Sequence, residues 1–409
     1  MTIFAAPFSD TKNHRPDARA AGWLRRPLGA LVLATSLSVL AGCAGSVQTG
    51  TEPRELSNID RQVETRTLWS EGLGSLTRAR YPITPALAGD TLYASDARGH
   101  LRAIDRQSGE ILWSRTLDER IASGLTADGG QILAGTRNGE VLALDTESGE
   151  TLWRTRVSSE VIAPPQINSS LVVVQSVDGT LTALDRSTGE QRWFYSASMP
   201  SLTLRGTGVP RTIDPVSFAG FANGRLAAFD NRSGQQLWDL RVAVPQGRTE
   251  VEQLVDLNGQ PVLTQDGRLF VTSYNGRIMA LDARSGQPIW ERELSSYHTP
   301  VLVGDYLFTV TADSHVMALD AGTGRVIWNQ DGLEGRSLSA PAFADGHLAM
   351  GDYQGYLHLL NARTGELEGR TRPGGGGISL PPQAAGDNLY VLTNEGELIA
   401  YALEARAEP

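Results

Sequence analysis

The sequence predicts an all-β fold: an eight-bladed β-propeller with four antiparallel strands per blade, the ring closed by an N-terminal strand in the last blade. Three observations carry this expectation. Six tryptophans stand eight residues after an aspartate and four after a glycine: Asp105/Gly109/Trp113, Asp145/Gly149/Trp153, Asp185/Gly189/Trp193, Asp230/Gly234/Trp238, Asp282/Gly286/Trp290 and Asp320/Gly324/Trp328. The unit returns in weakened form at Asn361/Gly365/Gly369 and at Ala402, so eight copies recur at intervals of roughly 42 residues, a propeller period when the contents are strand-like. Only seven residues follow Ala402, too few for an outer strand, whereas Thr65-Arg66-Thr67-Leu68-Trp69 reads as an outer strand with no inner strands before it. Pairing these two ends closes the ring and removes the open edges that invite aggregation.

The second copy shows how each blade is built. Gln131 to Gly135 is a short apolar run, Arg137-Asn138-Gly139 a turn, Val141 to Asp145 the next strand, Gly149 the close of a second turn, and Thr151-Leu152-Trp153 the outer strand. Apolar runs separated by Asn-Gly and Ser-Gly turns make hairpins rather than helices. The first of these turns recurs as Asp178-Gly179, Asn223-Gly224, Asn275-Gly276, Gln354-Gly355 and Glu395-Gly396. Two residues before each aspartate stands Ala103, Ala143, Ala183, Ala228, Ala280 or Ala318, small enough to leave room for a neighbouring sheet. Trp113, Trp153, Trp193, Trp238, Trp290 and Trp328 are then expected to fill the space between blades. Each aspartate is expected to accept hydrogen bonds from the amides of its own turn. These roles are structural, with no nucleophile or base beside them.

The N-terminus is of a different kind. Arg15, Arg19, Arg25 and Arg26 precede an apolar stretch from Leu28 to Leu40, too short for a mature membrane span and the size of a signal-peptide core. It ends in Leu40-Ala41-Gly42-Cys43, which resembles a bacterial lipobox, and Cys43 is the only cysteine of the chain. The expected organisation is a lipoprotein signal peptide over 1–42, a lipid-anchored flexible tether over 43–62, the propeller over 63–404 and a tail over 405–409. Cys43 is the expected lipidation site, and the absence of an aspartate at position 44 favours sorting to the outer membrane, with the propeller in the periplasm.

Five of the 36 basic and two of the 46 acidic side chains fall in residues 1–42, leaving a balance of −13 for the rest of the chain. Such a surface repels nucleic acid and anionic lipid. No catalytic, cofactor-binding or metal-binding residue is expected. His100, His298, His315, His347 and His358 lack metal-ligand spacing and read as surface or turn residues, and Gly374 to Gly377 is not followed by the Lys-Ser/Thr of a phosphate loop.

Irregular spacing marks where function is grafted onto a regular scaffold. The intervals of 45 between Asp185 and Asp230 and of 52 between Asp230 and Asp282 exceed the 40 of the two before them. The surplus lies in two consecutive connections, Ser198 to Val216 and Arg241 to Gln260. The first carries Pro200-Ser201-Leu202-Thr203-Leu204-Arg205-Gly206, and the second has Val251, Leu254 and Val255 at the spacing of a short amphipathic helical turn.

Lipobox, tether, tryptophan-motif blades and the Pro-Ser-Leu-x-Leu-Arg-Gly loop together resemble the BamB family, the lipoprotein propellers of the β-barrel assembly machinery. The resemblance spans the whole mature chain and implies a non-enzymatic scaffold that aids folding and insertion of outer-membrane proteins. It implies as partners the periplasmic domains of BamA, the rest of that complex and the membrane through Cys43, with unfolded outer-membrane proteins as further candidates. It assigns partner binding to Leu202, Leu204, Arg205 and Asp256, while a second acidic position of the family falls on Asn258. Alternatively the two leucines pack under their own loop, and Arg205 pairs with Asp256 only to order the two connections. The blade motif also resembles that of pyrroloquinoline-quinone dehydrogenases, an enzyme alternative that the single cysteine and the short chain oppose; a generic envelope scaffold is a third reading.

Overall fold

The computed structural model describes residues 52–74, 81–204, 207–374 and 376–406. Cys43, the expected signal peptide and Arg205 lie outside the described residues. Eight four-stranded antiparallel sheets succeed one another along the chain, and no helix occurs among the described residues. Blades 1 to 7 span residues 86–116, 126–156, 166–196, 211–241, 262–293, 301–330 and 342–371. Blade 8 combines residues 383–405 with the N-terminal strand Val63–Gly72, which pairs antiparallel with Glu397–Ala405 as its outer strand. The ring therefore closes as expected.

Ring geometry is visible at the hub. Ala86, Thr126, Gln166, Val209, Gln260, Thr299, Ala340 and Gln383, on or just ahead of the inner strands of the eight blades, line one central cavity of 540 Å³. The second and third strands of each blade carry the bulk of the core, with runs such as Leu171–Gln175 buried throughout. Strands covered on both faces by neighbouring sheets have no solvent side to present, so their sequences are predominantly apolar on both faces.

The motif supplies the fastening between blades. The indole N–H of Trp113 donates to Thr146 O at 3.0 Å, that of Trp153 to Arg186 O at 2.8 Å and that of Trp193 to Asn231 O at 2.8 Å. Trp238, Trp290 and Trp328 reach Ala283, Ala321 and Ala362 in the same way, and Trp69 of the closing strand reaches Arg106 in blade 1. Each acceptor directly follows the motif aspartate or asparagine of the next blade. The turn glycine of that blade lies flat on the indole: a Cβ on Gly234, whose φ is +72°, would stand 2.7 Å from Cγ of Trp193. The motif alanines prove to sit directly across the strand pair from the tryptophans, Ala183 opposite Trp193 and Ala228 opposite Trp238. The room they leave serves the indole.

One residue before each tryptophan the outer strand is bulged. The pairing jumps from Ala143/Trp153 to Leu144/Thr151, skipping Leu152, and the same shift skips Leu112, Leu237, Ile289 and Ile327. A bulge increases local twist and interrupts the edge, which protects exposed outer strands from pairing with other chains. The skipped side chains point to solvent while the next residue, the indole, turns inward.

Two sequence expectations need correction. Residues 54–62, expected to belong to a flexible tether, are hydrogen-bonded to the link ahead of blade 7 through Arg54 and to the outer strand of blade 7 through Ser57 and Gln62, and at the other end Arg406 extends the ordered fold past residue 404. His358, expected at a surface or turn, is completely buried against Asp352. The first could not be read from local pattern, because its partners stand 282 and 313 positions further along the chain.

Candidate partner-binding site

The two long connections lie side by side on one rim, the rim formed by the outer-to-inner links between blades. In the first, running from blade 3 to blade 4, the Asn223 side chain donates to Ser198 O at 3.0 Å, Thr207 Oγ1 accepts the Ala163 N–H at 3.2 Å, and the Val209 N–H donates to Asn258 O at 3.3 Å. In the second, from blade 4 to blade 5, Val242 and Ala243 donate to Gly224 O, and Asn223 pairs with Val255 in a parallel bridge. Asn223 thus touches both connections from the turn of blade 4.

The expected helical turn is a single one. Glu252 accepts the N–H groups of Arg248 and Thr249 at 2.7 and 3.0 Å, and the Gln253 N–H closes onto Thr249 O at 3.1 Å. Its apolar residues do not share a face. Val251 is 59 % exposed whereas Val255 is buried, because the chain enters the bridge to Asn223 immediately afterwards. Leu202 in the first connection is 39 % exposed, and Leu204 is half-buried. Val244 adds a further exposed apolar side chain that no sequence periodicity marked.

Asp256 joins the two connections from beneath. Its Oδ2 accepts the Leu204 N–H at 2.5 Å, and its own carbonyl accepts the Tyr274 N–H at 2.8 Å. The residue is only 1 % exposed, and Oδ1 has no hydrogen-bond partner among the described residues. Burial pushes the carboxyl up to about 6, the one amide of Leu204 opposing that rise. A carboxylate in this position orders the loop that carries Leu202 and Leu204; it does not offer its charge to the rim surface. Asn258 is half-buried and lines the hub rather than standing beside Leu202. Arg205 lies outside the described residues.

The hub is a second candidate by position. Its described lining holds no carboxylate, lysine, arginine or cysteine. Gln260 spans it, donating to Gln166 Oε1 at 2.7 Å and to Pro210 O at 2.9 Å. His298, its one imidazole, is pushed down to about 4 by burial. A calcium-bound anionic quinone needs carboxylate ligands and cationic contacts, and this donor set does not fit one.

Comparison with known proteins bears on both candidates. The family profile described as "Outer membrane protein assembly factor BamB" matches residues 39–122 and 97–330. A protein of that name from Pseudomonas aeruginosa is 44% identical over 375 residues, covering 91% of this chain and 98% of the relative. The crystal structure of BamB from Moraxella catarrhalis superposes with a TM-score of 0.75 at 27% identity, over 83% of this chain and 100% of that one. A europium-containing methanol dehydrogenase superposes with a TM-score of 0.69 at 14% identity, over 83% of this chain and 93% of that one, a likeness of fold alone.

Proposed function

This chain belongs to the family of the outer membrane protein assembly factor BamB, and from that premise we propose that it is a non-enzymatic scaffold subunit of the outer-membrane β-barrel assembly complex. The propeller sits in the periplasm, held to the outer membrane by lipid on Cys43, and docks onto periplasmic domains of BamA through the paired connections of blades 3 to 5. The observation that carries this reading is the Asp256–Leu204 hydrogen bond, which fixes one connection to the next and leaves Leu202, Val244 and Val251 exposed on the same rim. Exposed apolar side chains on an ordered loop lose little entropy on binding and supply the buried centre of an interface. Arg205 adds orientation through charge.

Leu202→Glu tests it. Copurification of BamA from solubilised outer membranes is expected to fall about tenfold, with the thermal transition unchanged because Leu202 supports no core. An equal loss of thermal stability with BamA capture retained would mean that the leucine serves its own loop. Capture of a different envelope complex in place of BamA would assign the same rim to another scaffold.

A further inference from the structure

Seven of the eight seams between blades are fastened by an indole. At the eighth, between blades 7 and 8, Gly369 stands where the tryptophan would be, and a Cβ there would lie 2.8 Å from both Cγ1 and the carbonyl oxygen of Val63. The space is already filled. The backbone of Gln62 bonds to both sides of this seam, its N–H donating to Glu368 O of blade 7 at 2.8 Å and its C=O accepting the Arg406 N–H beyond blade 8 at 2.8 Å.

Upstream the same segment is clamped at two further points. Arg336 donates through Nη1 to Arg54 O at 3.0 Å, and Arg370 donates through Nη1 to Ser57 O at 3.0 Å. Arg336 is itself buried and shares the Asp352 carboxylate with His358, at 2.8 Å from Nε and 2.9 Å from the imidazole Nε2. Arg336 bonds the carboxylate directly, while Arg370 Nε reaches only the far nitrogen of the imidazole, His358 Nδ1, at 3.3 Å, so the one carboxylate leaves guanidinium donors without acceptors, and a donor left unmatched in such a place is costly. The carbonyls of residues 54 and 57 provide two of the missing acceptors. Leu56 meanwhile packs on the apolar core shared by blades 6 and 7.

We propose that residues 52–62 are the lock of the indole-free seam, a strap whose clamped carbonyls and doubly bonded Gln62 do there what tryptophan does at the other seven. The outer strand of blade 7 is the docking surface, and its occupant is the segment of chain directly ahead of the closing strand. Closure of the ring thus depends on residues outside the eight repeats.

Hydrogen exchange on the full mature chain tests the proposal with two variants. Gln62→Pro removes the N–H donated to Glu368, and deletion of residues 52–60 removes both clamped carbonyls while sparing Gln62 and the closing strand. Each is expected to speed exchange of the amides in 367–371 and 397–405 by about tenfold, with the indole-locked seam between blades 2 and 3 unchanged. Exchange that stays within about twofold of the parent in both variants, or that rises by the same factor at every seam, would overturn it.

Discussion

Asp256 is the residue whose environment most changes the reading of its role. A carboxyl raised to about 6 binds its proton in the folded chain before it does so unfolded, where the ordinary value is 3.8. Folding stability from this group is therefore highest below about pH 4 and falls as pH rises from about 4 to about 6, by on the order of 3 kcal/mol. Asp256→Asn keeps an acceptor for the Leu204 N–H and has nothing to titrate. Its urea midpoint is expected to rise relative to the parent between about pH 4 and 6 and to hold a constant lead above that, with BamA capture retained; lost capture at undiminished stability would show that the negative charge itself is recognised. The motif aspartates behave oppositely. Asp145 is held below its ordinary range by the hydroxyl and amide of Ser148, so its contribution is present above about pH 4 and is lost as pH falls through its lowered folded value.

At the scale of the blade, the tryptophan, the flat glycine and the bulge form one device that repeats because its parts need one another. Trp193→Ala removes both the packing and the bond to Asn231 O, and is expected to cost about 3–5 kcal/mol in urea unfolding. Gly234→Ala meets the Trp193 ring and a positive φ together, and about 1–3 kcal/mol is expected from the same measurement. This device was legible in the sequence because spacing is conserved copy by copy, and so was the pairing of Thr65–Trp69 with the last blade. The burial of Asp256 beneath the first connection and the strap were not. Residues 52–62 have no apolar period, and the arginines that clamp them stand 282 and 313 positions further along the chain. The loop around Leu202 and Leu204 stood out by interval length, while its support from Asp256 required a neighbouring connection that no local pattern contains. Gly369 read as a decayed tryptophan position, yet its missing side chain is what admits Val63.

For the whole ring, closure by a remote strand makes the two chain ends interdependent. Deleting residues 52–72 bares the edge of Glu397–Ala405, and the shortened chain is expected to elute as oligomers in size-exclusion chromatography, since an unpaired strand recruits another copy. Gly369→Trp, which superficially completes the seventh repeat, is expected to lower the melting temperature, because the indole must displace Val63 and the backbone of Gln62. Arg54 has a further consequence: it is tied to Glu334 and Arg336 in the link between blades 6 and 7, on the rim that also bears Leu202. Whatever restrains the polypeptide upstream of that point pulls on the side proposed to meet the partner. On that proposal the opposite side, bearing the hairpin turns at Gly109, Gly149 and Gly189, carries neither attachment.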